Sequence, residues 1–352
     1  MFNLPPEVAK LAEDQVESFR NFSPGYVFNH FKNGPVDAVV NFKGPDIRIL
    51  KHQDVISEKA TARERSQFLA MIYKEWLDNP EYSEIVKDFN IVVPITFSDM
   101  PVDKVQHIPS LCFSKNAYSN SILIPNMLSQ VRRHEFNYVD TDDRPLLQKT
   151  DKMSFCGSLT NIYWNGHGMP YNQRLQVAYM ATQSDMFDCK IIQPPQFDPV
   201  EWDEVRQKVQ KQWPGLVESD VWCDQFIKVS VEDQLKHKFQ LTIDGHTCAW
   251  ARLPWQMYSN SVVIKIRNQQ DDFVEWFYPL LKNGKHILEV DTHNLIELYQ
   301  YIIHEPDHQQ YLNENASDFC RKYFDSDLAS RFFLYTLYLL NKKQNIPEGY
   351  IK

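Results

Sequence analysis

The sequence predicts an α/β protein of two doubly wound halves, and three observations carry that prediction. Apolar, β-branched runs alternate with amphipathic helical stretches along the chain. At 352 residues the chain is long for a single core, so two domains are the natural division. Around residues 140–152 the composition turns polar, "DTDDRPLLQKTDK", and the alternation then restarts, which marks this stretch as the linker. The first half is therefore set at 1–148 and the second at 149–326, with a last helix, 327–352, expected to pack back on the first.

In chain order, residues 6–33 read as helical, and "AVVNFKGPDIRILK" reads as a hairpin around a Gly-Pro turn. "TARERSQFLAMIYKEWLDN" has the period of an amphipathic helix, and "NIVVPITFSD" and "PSLCFSK" read as buried strands. "NSILIPN" leads into a loop. Beyond the polar stretch, "MSFCGSLT" is a strand and turn, "YNQRLQVAYMATQS" a helix and "CKIIQPP" a strand. "SVEDQLKHKFQLTIDG" and "PWQMYSNSVVIKI" each read as a helix running into a strand. "DDFVEWFYPLL" reads as a helix, "KHILEV" as a strand, and "HNLIELYQYIIHE" and "DLASRFFLYTLYLLNKK" as helices. Ligands of such sheets sit at the carboxyl ends of the strands.

Composition excludes several function classes. A net charge of −9 argues against a nucleic-acid partner, because phosphate neutralisation needs a basic footprint. The six cysteines are scattered without a CxxC pair, which suits reduced thiols in the cytosol. The N-terminus carries acids and prolines where a secretory signal would be basic and apolar, and no apolar run reaches membrane-span length. A cytoplasmic protein is expected.

Several residues are candidates for chemistry. Asp99 ends a buried strand, where a general base would stand, although Asp-Met-Pro also simply turns a chain. In "SFCGSLTN", Gly157 and Ser158 follow a strand; the turn either offers backbone N–H groups to phosphate or is a plain tight turn. Arg252, in "DGHTCAWARLPWQ", is a lone cation in a small and apolar run, suited to an arriving anion or to pairing with a structural acid. No zinc-spaced His/Cys set, Walker loop or G-x-S-x-G elbow is present. The triplets Asp140-Thr-Asp142 and Asp325-Ser-Asp327 read as solvated or capping acids rather than metal ligands.

"SFCGSLTN", "DGHTCAWAR", "SNSVVIK", "EWFYPLL" and "HILEV" occur in that order, and the set resembles glycosyltransferase family 90 over about residues 89–325. That family holds protein O-glucosyl- and O-xylosyltransferases as well as capsule-associated and polysaccharide transferases. The resemblance implies a GT-B fold, two Rossmann-like domains facing across a cleft, with inverting, metal-independent transfer of glucose or xylose from a UDP-sugar. No cofactor is implied. Carried over by position, Asp99 matches the catalytic base, while Gly157, Ser158, Thr160, Arg174, Gly245, Arg252 and Glu275 match donor-binding positions. The chain departs from the family where Trp250 stands for a frequent serine, in a run to Arg252 read as one residue longer. The acceptor implied is a glycan, a lipid-linked saccharide or a protein hydroxyl, in a bacterial or viral setting. The alternative is a binding module that kept the fold and lost turnover. Trp164 or Tyr163, just after the donor turn, is a candidate stacking residue.

Overall fold

The structure is a computed structural model. It describes residues 2–17, 38–51, 60–97, 110–116, 119–126, 133–160, 172–194, 199–225, 229–267 and 273–344. The chain divides into two units: Met1–Val131 with Phe273–Leu280 and Tyr323–Lys352, and Arg132–Asp272 with Leu281–Lys322.

In chain order, α1 (Pro6–Glu17) is followed by the hairpin of β1 (Ala38–Lys43) and β2 (Asp46–Lys51). Gly44 supplies the left-handed residue of that turn, with φ 53°. Next come α2 (Ala60–Asp78), α3 (Pro80–Lys87) and β3 (Asn90–Ile95), then the short strands β4 (Leu111–Cys112), β5 (Lys115–Asn116) and β6 (Ile122–Leu123). The sheet of this first unit runs β2-β1-β3-β4-β6, with the hairpin antiparallel and β3, β4 and β6 parallel. Phe42, Tyr73 and Trp76 pack in its core, the first pair tilted and the second edge-on.

The second unit opens with α4 (Arg133–Asp142), β7 (Thr150–Ser158), α5 (Gln173–Gln183), β8 (Phe187–Ile192) and α6 (Pro199–Gln212). It continues through β9 (Trp222–Cys223), α7 (Val231–Leu235), β10 (His237–Ile243), α8 (Arg252–Tyr258) and β11 (Val262–Ile266). The chain then visits the first unit, where β12 (Phe273–Val274) pairs antiparallel with β5. It returns for β13 (Leu288–Val290), α9 (Leu295–Ile302) and α10 (Pro306–Tyr323). The last helix, α11 (Ser326–Lys343), belongs to the first unit. There Asn341 accepts from the Asn90 N–H at 2.9 Å, and the Gln344 amide just beyond α11 exchanges bonds of 2.8 and 2.9 Å with the Val92 backbone. Side-chain amides thus satisfy backbone groups of β3 that no strand among the described residues covers.

The sheet of the second unit is all parallel in the order β13-β11-β10-β7-β8-β9. Counted within the unit this is the 3-2-1-4-5-6 order of a doubly wound Rossmann sheet, whose switch point lies between its first and fourth strands, β7 and β10. Phe155, Phe239, Leu241 and Ile264 fill its core, and every residue of β10 is buried. Continuous burial of that kind is what a central parallel strand requires. The fold is α/β, two units each built on its own sheet.

Two expectations need correction. "DDFVEWFYPLL" does not form a helix: Phe273–Val274 is a strand, Tyr278–Leu280 a single 3₁₀ turn, and Asp271 and Asp272 lie outside the described residues. Its aromatics are core instead, with Trp276 against Phe332 and Phe277 against Phe324. Nor is 140–152 a linker. It holds the end of α4, a 3₁₀ turn at Leu146–Gln148 and the start of β7, and the units divide earlier, between Val131 and Arg132. Its polarity serves an internal ion pair, Lys149 with Asp143 at 2.6 Å, both side chains almost wholly buried. Of the helix expected at 6–33, residues 6–17 are helical and 18–33 lie outside the described residues.

Candidate functional site

The second unit gathers its predicted residues at the carboxyl ends of β7 and β10. Asn172 caps α5, its Oδ1 accepting from the Leu175 N–H at 3.1 Å while its amide donates to the Thr160 carbonyl at 2.8 Å. This capping sets Arg174 at the first turn of α5, facing the strand ends. There Arg174 donates through Nε to the Asp244 carbonyl at 3.1 Å, through Nη2 to that of Ile243 at 3.0 Å, and through Nη1 to that of Ser158. One guanidinium thereby ties the two central strands together at the switch point.

Arg252, the first residue of α8, donates to the Cys156 carbonyl and, at 3.4 Å, to Gln234 Oε1. Both guanidiniums lie against the Phe155 ring, at 5.5 Å for Arg174 and 5.2 Å for Arg252. All the hydrogen bonds of these two arginines go to neutral oxygens, and no carboxylate among the described residues forms an ion pair with either. Burial, and then the charge of Arg252, pull the Arg174 pKa down, and burial does the same to Arg252. Guanidinium stays protonated at neutral pH even so, and the direction of both shifts says that an anion here would be stabilised.

The glycines have packing reasons that the sequence did not reveal. A Cβ on Gly157 would stand 2.8 Å from the Phe155 ring, and one on Gly245 would stand 2.7 Å from Thr160 Oγ1 and 2.9 Å from Arg174 Nη2. Gly245 therefore makes room for Arg174 rather than for a ligand directly. The Oγ1 atoms of Thr160 and Thr247 are buried with no hydrogen-bond partner among the described residues. The Thr160 hydroxyl, which crowds the same face of Gly245 as Arg174, is the kind of unsatisfied group that a site for a polar ligand leaves open. Trp250 turns the loop before Arg252 with φ 48°, a conformation that costs a non-glycine residue about 1–3 kcal/mol and recurs at functional loops.

The structure thus brings together Gly157, Ser158, Thr160, Arg174, Gly245 and Arg252. Glu275 belongs to the other unit, buried directly after β12. Asp99, with Asp103, Tyr163 and Trp164, lies outside the described residues. Of the acid triplets, Asp325 caps α11 through the Asp327 and Leu328 N–H groups, and Asp140 accepts from the Tyr258 hydroxyl at 2.6 Å. No group of three or more His, Cys, Asp or Glu side chains among the described residues is placed to hold a metal ion. Sequence reasoning missed Lys265, which pairs with Asp244 at 3.2 Å. A lysine in the apolar strand "SVVIKI" was the available signal, since a cation there must find a buried partner.

The doubly wound parallel sheet, with two arginines at its switch point, defines the second unit as a Rossmann-like domain. The profile of Glycosyl transferase family 90 matches residues 78–347. The chain belongs to that family. Solved structures with similar folds include Anabaena HepE in complex with UDP-glucose, at 10% identity over 61% of this chain and 54% of that one, with a TM-score of 0.35. The chain thus spans about half the length of HepE. Others are the C-terminal domain of LpcC from Francisella tularensis (14% identity, 55% and 93% covered, TM-score 0.34) and Acinetobacter baumannii MurG (12%, 90% and 90%, 0.30). No helix among the described residues is long and apolar enough to cross a membrane.

Proposed function

We propose that the chain is an inverting, metal-independent glycosyltransferase that moves glucose or xylose from a UDP-sugar to a hydroxyl of a glycan, lipid-linked saccharide or protein acceptor. The observation that carries this reading is the pair Arg174 and Arg252, both bonded only to neutral oxygens at the switch point of the Rossmann sheet. In the proposed reaction the acceptor oxygen attacks the anomeric carbon while the bond from that carbon to UDP breaks. Asp99 takes the hydroxyl proton, and the two guanidiniums meet the charge growing on the leaving diphosphate. The charge needed at the leaving group is supplied by side chains, so the proposal assigns no metal. Asp99 is assigned from the family resemblance and from its place two residues after Phe97, the end of the described run from β3.

A sugar-nucleotide panel tests the reading, scored by thermal shift and by transfer with and without EDTA. A donor at one hundred times its Kd adds about 2.7 kcal/mol of stability, so the right nucleotide stands out from the panel. Asp99→Asn is expected to lower kcat by about 10²–10⁴ with donor affinity unchanged. Full transfer by that variant assigns the base elsewhere, and activity that EDTA abolishes and manganese restores ends the metal-free reading.

A further inference from the structure

The aromatic residues that stand exposed among the described ones meet at the corner between α9 and α10: Tyr301, 54% exposed, and Tyr311, 46% exposed. His308 lies between them. Its ring centroid is 6.2 Å from that of Tyr301, at 70°, and 6.4 Å from that of Tyr311, at 43°. These contacts are edge-on and tilted, so no ring is stacked on another and ring faces remain for a ligand. The corner beneath is firmly bonded. Buried Gln309 donates through Nε2 to the Ile302 carbonyl at 2.6 Å and the Ile303 carbonyl at 3.3 Å, closing the end of α9 from the first turn of α10. Ile302 and Leu312 anchor both helices in the core. The Tyr299 hydroxyl donates to the Asp151 carbonyl at 2.6 Å, near the start of β7, so this end of α9 belongs to the amino end of the sheet. Arg252 holds the Cys156 carbonyl five residues further along β7, about 17 Å of strand away.

Charge selects the occupant. No lysine or arginine stands between Lys285 and Arg321 in the sequence. Exposed Glu297, Asp307 and Glu314 each lie one helical turn from one of the two tyrosines. A rim of that sign repels phosphates, acidic polymers and acidic lipid surfaces. It accepts a neutral polyhydroxyl chain, to which the ring faces offer apolar contact and the tyrosine hydroxyls and imidazole offer hydrogen bonds. His304, Glu305 and His308 spell H-E-x-x-H, but Pro306 opens α10 between the histidines, and no group of three metal-ligating side chains is placed to hold an ion among the described residues. We infer that Tyr301, His308 and Tyr311 form a second carbohydrate site, separate from the donor site, that holds a neutral glycan chain by stacking. The inference rests on the reading above for the choice of sugars alone.

The test is calorimetric binding, in EDTA, of cellohexaose and xylohexaose, neutral hexamers of glucose and of xylose, with UDP and octalysine measured beside them. Wild type is expected to bind at least one hexamer. Tyr301→Ala/Tyr311→Ala is expected to bind it about tenfold more weakly, and Tyr301→Phe/Tyr311→Phe within about threefold of wild type, because the ring faces remain. Both side chains are exposed, so Tm and UDP affinity are expected to stay at the wild-type values. A wild type that binds neither hexamer overturns the inference, as does a folded double-alanine variant that binds as well as wild type. A double-phenylalanine variant as weak as the double-alanine one also overturns it, since stacking would then not be the source of affinity. A loss confined to octalysine overturns it too, and marks the acidic rim as a seat for a basic protein. Should the double-alanine variant fail to fold, Tyr301→Ala and Tyr311→Ala are read singly, and undiminished binding by both overturns the inference. A wild type that binds a hexamer but no UDP sinks the donor reading and leaves this site standing.

Discussion

The two ends of the sheet in the second unit treat charge in opposite ways. At its amino end each of three basic side chains has a carboxylate. Lys149 has Asp143, Lys238 has Asp151, and His237 is bracketed by Asp188 and Thr150, each at 2.6 Å. The Asp143–Lys149 pair is further netted by the Asn260 N–H at 2.7 Å and the Ser261 hydroxyl at 2.8 Å. At the carboxyl end Arg174 and Arg252 touch carbonyls and one amide oxygen, and among the described residues Asp244 forms its ion pair with Lys265. The same fold, with similar residue types, closes its electrostatics at one end and leaves them open at the other. Satisfied charge reads as structure, and unsatisfied charge at a switch point reads as a site.

Breaking the closed end gives the largest expected effect. Asp143→Asn strands the Lys149 ammonium, whose pKa burial already lowers, and is expected to cost about 3–5 kcal/mol of stability. UDP affinity, measured well below the variant's Tm, is expected to stay at the wild-type value. A variant that kept its Tm but lost UDP would show that the amino end is not merely structural.

Arg252→Ala probes the open end, with a smaller and differently placed loss. Removing a charge-assisted anion contact is expected to cost about 2–4 kcal/mol of transition-state stabilisation, read as kcat/KM. Its bonds in the free protein go to one carbonyl and one amide, so Tm is expected to move far less than in Asp143→Asn. Transfer within a few-fold of wild type would take Arg252 out of the site and erase the contrast between the ends.

How much of this could be read in the sequence follows from the range of each interaction. The strands of the second unit were legible because burial on both faces writes itself as unbroken apolar runs, as in "SVVIKI" and "FQLTI". Arg252 was legible as a lone cation among small residues. Its relation to Arg174 was not, since 78 positions separate them in number and one ring, Phe155, joins them in space. The stretch 140–152 looked like a linker because Asp143 and Lys149 are polar, and only their mutual burial reveals them as core. "EWFYPLL" looked helical from its apolar spacing. Pro279 and the pairing of β12 with β5 decide otherwise, and that pairing joins positions far apart in the chain. Gly157 and Gly245 match donor-binding positions of the family, whereas the nearer demand on them comes from Phe155, Thr160 and Arg174.

The smallest expected effect sharpens the comparison through pH. Asp188 accepts from His237 Nε2 at 2.6 Å, and chiefly that hydrogen bond holds its carboxyl below the ordinary value of 3.8. A carboxylate whose pKa is depressed by folding stabilises the folded state above its unfolded pKa, and that contribution is lost as pH falls through the folded value. The side chain is 49% exposed, so solvent screens the pair and the effect belongs to the modest class of surface ion pairs. Wild type is therefore expected to lose slightly more stability than Asp188→Asn as pH is lowered from about 5 toward 3, in urea melts followed at each pH. At pH 7 the two proteins should bind UDP alike, since Asp188 stands at the amino end of β8 and the arginines at the carboxyl ends of its neighbours. If Asp188→Asn instead altered UDP affinity at pH 7 while leaving the acid melt unchanged, the amino end would be coupled to the donor site. The division of labour between the two ends would then have to be redrawn around the β8 strand.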